Sequence, residues 1–153
     1  MDLQTGGPSL FHDWDQISTG HFPDTDFRNI DLREVNFCRA SLQRSNFSGC
    51  DLRKTIFMNA DLTNANLTNA DLRGVFLGGV NLTNANLRGA DLRDSDLLGH
   101  TPEWWRNPIL DGTNFLDSNL EGATLPEGIG KIDAWPAGVW PTTLWPEGYG
   151  PIS

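Results

Sequence analysis

The chain has 153 residues, a length that fits one domain with its own core, and a formal net charge of −9 that disfavours attraction to nucleic acid or anionic lipid. Hydrophobic residues make up 38% of it, and its 16 Gly and 9 Pro would suggest turns or disorder unless a periodic pattern overrules them. No apolar run approaches the ~20 residues of a membrane span, Met1-Asp2-Leu3 does not begin a secretory leader, and two cysteines, Cys38 and Cys50, are too few for a disulfide framework, so a cytoplasmic protein is expected.

In chain order, the first expected element is a short helix over 9–18. Ser9 stands as its N-cap, and Leu10, Phe11, Trp14 and Ile17 fall on one face that would close the end of whatever follows.

From Phe22 to Leu97 every fifth residue is Phe or Leu, sixteen times in succession. Two places before most of them sits a small or β-branched residue, and immediately before them usually Asp, Asn or Ser, as in Ala60-Asp61-Leu62-Thr63-Asn64. A period of five smears around a helix and flips faces in a long strand. A chain that turns a corner every five residues resolves the conflict, with the Leu or Phe and the residue two before it pointing inward. The tripeptide Asp-Leu-Arg recurs only at 31–33, 51–53, 71–73 and 91–93, always twenty residues apart, which predicts four sides per coil.

After Leu97 the frame breaks. Residues 98–109 are expected to form a loop between coils, carrying Trp104 and Trp105, before Leu110, Phe115, Leu120 and Leu125 build a fifth coil over 110–125. Residues 126–153 form a Trp/Pro/Gly-rich tail whose Leu125-Pro126-Glu127-Gly128, Trp135-Pro136-Ala137-Gly138 and Trp145-Pro146-Glu147-Gly148 repeat every ten residues and forbid a regular helix.

The unbroken five-residue repeat resembles the pentapeptide-repeat proteins, and the Trp-Pro-x-Gly tail is similar to those of cyanobacterial members. The resemblance implies an all-β fold: a right-handed quadrilateral parallel β-helix of about five coils, forming one domain over 1–153. Some members mimic DNA with an acidic rod and bind type II topoisomerase (gyrase), altering quinolone sensitivity, which is the alternative functional expectation here. The charge map argues against it: residues 22–97 hold ten acids against nine bases, and the remaining acidity lies in the cap, loop and tail.

A catalytic expectation finds no support. His12, His21 and His100 have no metal-ligand spacing, there is no phosphate-cradling Gly motif or nucleophile elbow, and no catalytic, cofactor-binding or metal-binding residue is assigned. The expected role is a protein-interaction or structural module that binds another protein rather than nucleic acid or membrane, and a monomer. Two polar columns, Asp31, Asp51, Asp71, Asp91 and Arg33, Arg53, Arg73, Arg93, form a charged strip that either neutralises itself or docks a charged partner. The fourth side carries Cys38, Ile56, Met58, Phe76 and Leu98 outward, an apolar strip that is either a partner face or covered by some of Trp104, Trp105, Trp135, Trp140 and Trp145 folding back.

Overall fold

The computed structural model describes residues 20–98, 108–125 and 143–147. The expected capping helix over 9–18, Trp104, Trp105, Trp135 and Trp140 lie outside the described residues.

One five-residue unit accounts for all of its own backbone donors, which explains why the repeat folds as it does. In Ala60–Asn64, the Ala60 N–H donates to Phe57 O at 2.9 Å and closes a four-residue turn. The Asp61 N–H donates down to Ala40 O at 2.9 Å, and the Leu62 and Asn64 N–H groups donate up to Asn81 O at 2.8 Å and Thr83 O at 2.9 Å. The remaining donor, on Thr63, goes to the Asp61 side chain at 3.0 Å. No peptide N–H of the unit is left to water, as burial of the chain's inner face requires. Asp and Asn recur before the inward residue because their short side chains reach the N–H two places ahead.

The turn has a second requirement. The second residue after each inward Leu or Phe is left-handed: Arg39, Arg44, Lys54 and Asn59 have φ of 56–59°, and Gly49, Gly74 and Gly89 have φ of 64–69°. A positive φ at the third place of a four-residue turn is the type II pattern, which favours Gly and Asn.

Stacking these units yields four sides. Parallel bridges join residues twenty apart, such as Ser41 to Asp61, Asn46 to Asn66, Asp51 to Asp71 and Ile56 to Phe76. Each bridge stands alone between turns, so among the described residues the sides do not extend into regular strands; a side of five residues spends its last two on the corner. Coils therefore stack at about 4.8 Å, the strand spacing.

The inward columns run as the spacing predicts. The first side presents Leu42, Leu62 and Leu82, the second Phe27, Phe47 and Leu67, the third Leu32, Leu52, Leu72 and Leu92, and the fourth Phe37, Phe57, Leu77 and Leu97, all buried. In the first two coils Phe27 stacks on Phe47 at 4.6 Å and Phe37 on Phe57 at 5.4 Å, with edge-on contacts between the two stacks. Ser45 and Thr55, two places before an inward residue, bury their hydroxyls by donating to the carbonyl of the coil below, Ser45 to Phe22 O at 2.7 Å and Thr55 to Leu32 O at 2.9 Å.

The interruption after Leu97 does not disturb the register. Asn81 pairs with Ile109, Asn86 with Asn114, Asp91 with Asn119 and Asp96 with Thr124, so Leu110, Phe115, Leu120 and Leu125 complete the fifth coil. A sixth coil begins on the third side: Leu144 bridges to Asn119, its N–H donating to Ser118 O at 3.0 Å and its carbonyl accepting from Leu120 at 2.7 Å. Of the aromatics named as candidate covers, Trp145 is the one among the described residues, and its side chain is half-buried against the core in register with Leu120. It closes the end of the solenoid and does not lie over Ile56, Met58 and Phe76.

Candidate functional site

The charged strip lies on the third side and neutralises itself. Each Arg reaches back to the Asp two places before it with two parallel hydrogen bonds. In the 51–53 pair the Arg53 Nε–H donates to Asp51 Oδ1 at 2.8 Å and an Nη2–H to Oδ2 at 2.7 Å, and 71–73 and 91–93 repeat this. Diagonal contacts of 3.9, 3.8 and 3.7 Å link Arg33 to Asp51, Arg53 to Asp71 and Arg73 to Asp91. The hydrogen bond from the Arg33 side chain, then its backbone N–H, holds the Asp31 carboxyl down at about 2; Asp26 is held at about 2 by Arg28 in the same way. Asp51 and Asp91 are lowered by the same partners in their own rungs.

Neither cysteine points to chemistry. Cys50 is buried, its thiol donating to Phe27 O at 3.3 Å, and burial pushes its pKa up to about 11, so it is an inert core residue. Among the described residues no group of three or more His, Cys, Asp or Glu could hold a metal ion. No helix among them is long and apolar enough to cross a membrane. On the second side an open dent lies between Thr68, Asn69, Arg88, Gly89 and Asp117, floored by the Arg88–Asp117 ion pair at 3.2 Å, without a nucleophile beside a base.

The fourth side departs from the repeat. On the column before the inward residue, Asn36 and Asp96 accept from the N–H of Cys38 at 2.9 Å and of Leu98 at 3.0 Å. Between them stand Ile56 and Phe76, bridged to each other, whose side chains offer the Met58 and Gly78 N–H groups no acceptor. Two turn-capping side chains are thus replaced by apolar ones in consecutive coils, and Phe76 is 41% exposed. Of the strip expected there, Cys38, Ile56, Met58 and Leu98 are half-buried. Exposed large apolar residues also occur elsewhere, at Ile109 on the first side and Leu144 on the third, which the regular repeat pattern did not reveal because both follow the frame break.

Comparison with known proteins agrees with this architecture. A family model described as pentapeptide repeats matches residues 22–59 and 60–98, half of the chain. A pentapeptide-repeat protein from the thylakoid lumen of Arabidopsis thaliana is similar at 27% identity over 80% of this chain and 78% of its own, with a TM-score of 0.69. Rfr23, a pentapeptide-repeat protein of the cyanobacterium Cyanothece 51142, is similar at 24% identity over 82% and 84%, with a TM-score of 0.47. QnrB1, a plasmid-mediated fluoroquinolone resistance protein, matches at 16% identity over 69% and 62%, with a TM-score of 0.37. No curated protein matches the chain.

Proposed function

The chain belongs to the pentapeptide-repeat family, whose fold is the right-handed quadrilateral β-helix, and on that premise we propose that it is a non-enzymatic protein-interaction module that docks a partner on its fourth side. The observation that carries this reading is the pair Ile56 and Phe76. The repeat's own requirement at those positions is an Asp or Asn that caps the turn, and an apolar pair in register forgoes that cap to present hydrocarbon outward. An exposed aromatic beside an aliphatic neighbour is the usual centre of a binding face.

The protein on this reading acts as a cytoplasmic monomer whose partner is another protein. Its self-neutralised third side weighs against an acidic rod that imitates DNA, because each Asp of that column already holds a bidentate Arg.

Phe76→Asn tests the reading, since it restores the turn acceptor and should leave the fold intact. The expected result is an unchanged circular dichroism spectrum with loss of the proteins that the wild-type chain retains from a lysate, confirmed by direct titration of the one lost. Retention of the same proteins by both would overturn the fourth-side reading. In the same preparation, gyrase supercoiling and its quinolone sensitivity should be unchanged at micromolar protein; inhibition or protection would revive the DNA-mimic alternative.

A further inference from the structure

Leu110 is the inward residue of the first side in coil five, and it is half-buried, whereas Leu42, Leu62 and Leu82 below it are buried. The equivalent residue of the third side, Leu120, is also buried, because the sixth-coil rung lies over it: the Leu120 N–H donates to Leu144 O at 2.7 Å and Trp145 stands in register with it. Over Leu110 no such rung is found among the described residues. One coil lower, the same side shows what is missing, since there the Leu82 N–H donates to Ile109 O and the Asn84 N–H to Asp111 O, both at 2.8 Å. The corresponding donors of coil five, the N–H groups of Leu110 and Gly112, make no hydrogen bond among the described residues. Ile109 is 47% exposed, Asp111 and Gly112 are exposed, and Pro108 before them is buried, so the open edge runs from Ile109 to Gly112.

We propose that this edge docks an extended segment of a partner protein as one parallel rung, with an outward residue over Ile109, an apolar residue over Leu110 and a basic residue over Asp111. The backbone address follows from the coil below: the carbonyl of the first residue accepts from the Leu110 N–H and that of the third from the Gly112 N–H. The apolar middle residue follows from the column Leu42, Leu62, Leu82 and Leu110, whose top is the part left uncovered. The basic third residue follows from Asp111, an exposed carboxylate where the coils below carry Gln43, Thr63 and Thr83. The third side sets the precedent, because coil five there already carries a single rung at Leu144. A second copy stacking end to end is a poorer occupant, since its own third side would meet the level that Leu144 and Trp145 fill. The edge lies on a different side from Ile56 and Phe76, so this inference stands or falls independently of docking on the fourth side.

The test follows amide hydrogen exchange of the full chain by NMR, free and with an excess of the probe peptide acetyl-Thr-Val-Leu-Arg-Gly-amide. In the free protein the Leu110 and Gly112 amides are expected to exchange about 100-fold faster than that of Leu120, and the peptide should slow both about tenfold while leaving Leu120 unchanged. The same peptide with Asp in place of Leu should protect neither. Wild type should bind the arginine peptide about threefold more tightly than a version with Glu in place of Arg, and Asp111→Arg, at an exposed position, should reverse that order. Absence of protection by the arginine peptide, or a preference that Asp111→Arg leaves unchanged, would overturn the proposal. So would Leu110 and Gly112 amides as slow as Leu120 in the free protein, which would assign the edge to the chain's own residues 126–142. Protection that rises with protein concentration alone would overturn it too, by assigning the edge to a second copy.

Discussion

Backbone strain in this repeat is concentrated at the left-handed corner residue. Asn and Gly tolerate a φ near +60°, but Glu34, Arg39, Arg44 and Lys54 adopt φ of 59–61° with full side chains, at a cost of roughly 1–2 kcal/mol each. Lys54→Gly relieves that cost while adding the entropy of Gly in the unfolded chain, so we expect a net gain of about 0.5–1 kcal/mol in chemical denaturation. Gly89→Ala should move the other way by about 1–2 kcal/mol: its φ is +69°, and a Cβ there would press on Asn69 Oδ1. A second residue-scale cost sits at Ser95, whose buried hydroxyl has no partner among the described residues, while Ser45 and Thr55 at equivalent places donate to a carbonyl. Ser95→Ala is expected to stabilise the protein by about 1 kcal/mol; destabilisation in the same titration would mean that the hydroxyl is satisfied. None of this was legible beforehand at Glu34, Arg39, Arg44 or Lys54, because long charged side chains carry no preference that marks a positive φ.

The elements of this fold are columns rather than strands, and the third-side ladder is the most ordered of them. The carboxyls of Asp31, Asp51 and Asp91 are depressed by Arg hydrogen bonds, so the sign of their pH linkage is definite. Stability from such a group is fully present above the unfolded value of about 3.9 and is lost as pH falls towards the folded value, about 2 for Asp31. Tm should therefore fall between about pH 4 and pH 2. An Asp31→Asn/Asp51→Asn/Asp91→Asn variant keeps the turn acceptor but not the charge. It should lose little at pH 7, since exposed pairs contribute about 0–1 kcal/mol, and show a flatter Tm profile in acid. An equally steep profile would place the acid sensitivity elsewhere. The columns themselves were readable from sequence because five-residue spacing dictates the inward set and the recurring Asp-Leu-Arg counts the sides. What the spacing could not show is that each side makes only one bridge, or that the apolar break at Ile56 and Phe76 also removes two turn caps.

For the whole molecule, stability depends on its ends, because each coil contacts only its neighbours and an unclosed coil leaves apolar columns and unpaired backbone open. Trp145 supplies part of that closure over Leu120, and Trp145→Ala should cost about 2 kcal/mol in urea denaturation, less than a fully buried Trp since it is only half-buried. Its effect should add to that of Phe76→Asn, the two residues being on different sides and several coils apart; non-additivity would return Trp145 to the fourth side. The sequence pattern did not locate this cap because Trp145 follows Leu120 by 25 residues where a regular coil takes 20, and counting sides led the tail off the fourth side instead. The interruption at the fourth corner has a different consequence. Bridges below it span 20 residues and those across it 28, yet the partners above remain in step. Chain length is therefore decoupled from core packing at this corner, which makes it a splice point: a peptide of another length grafted between Leu98 and Pro108 would be displayed as cargo on a scaffold whose inner columns need no retuning.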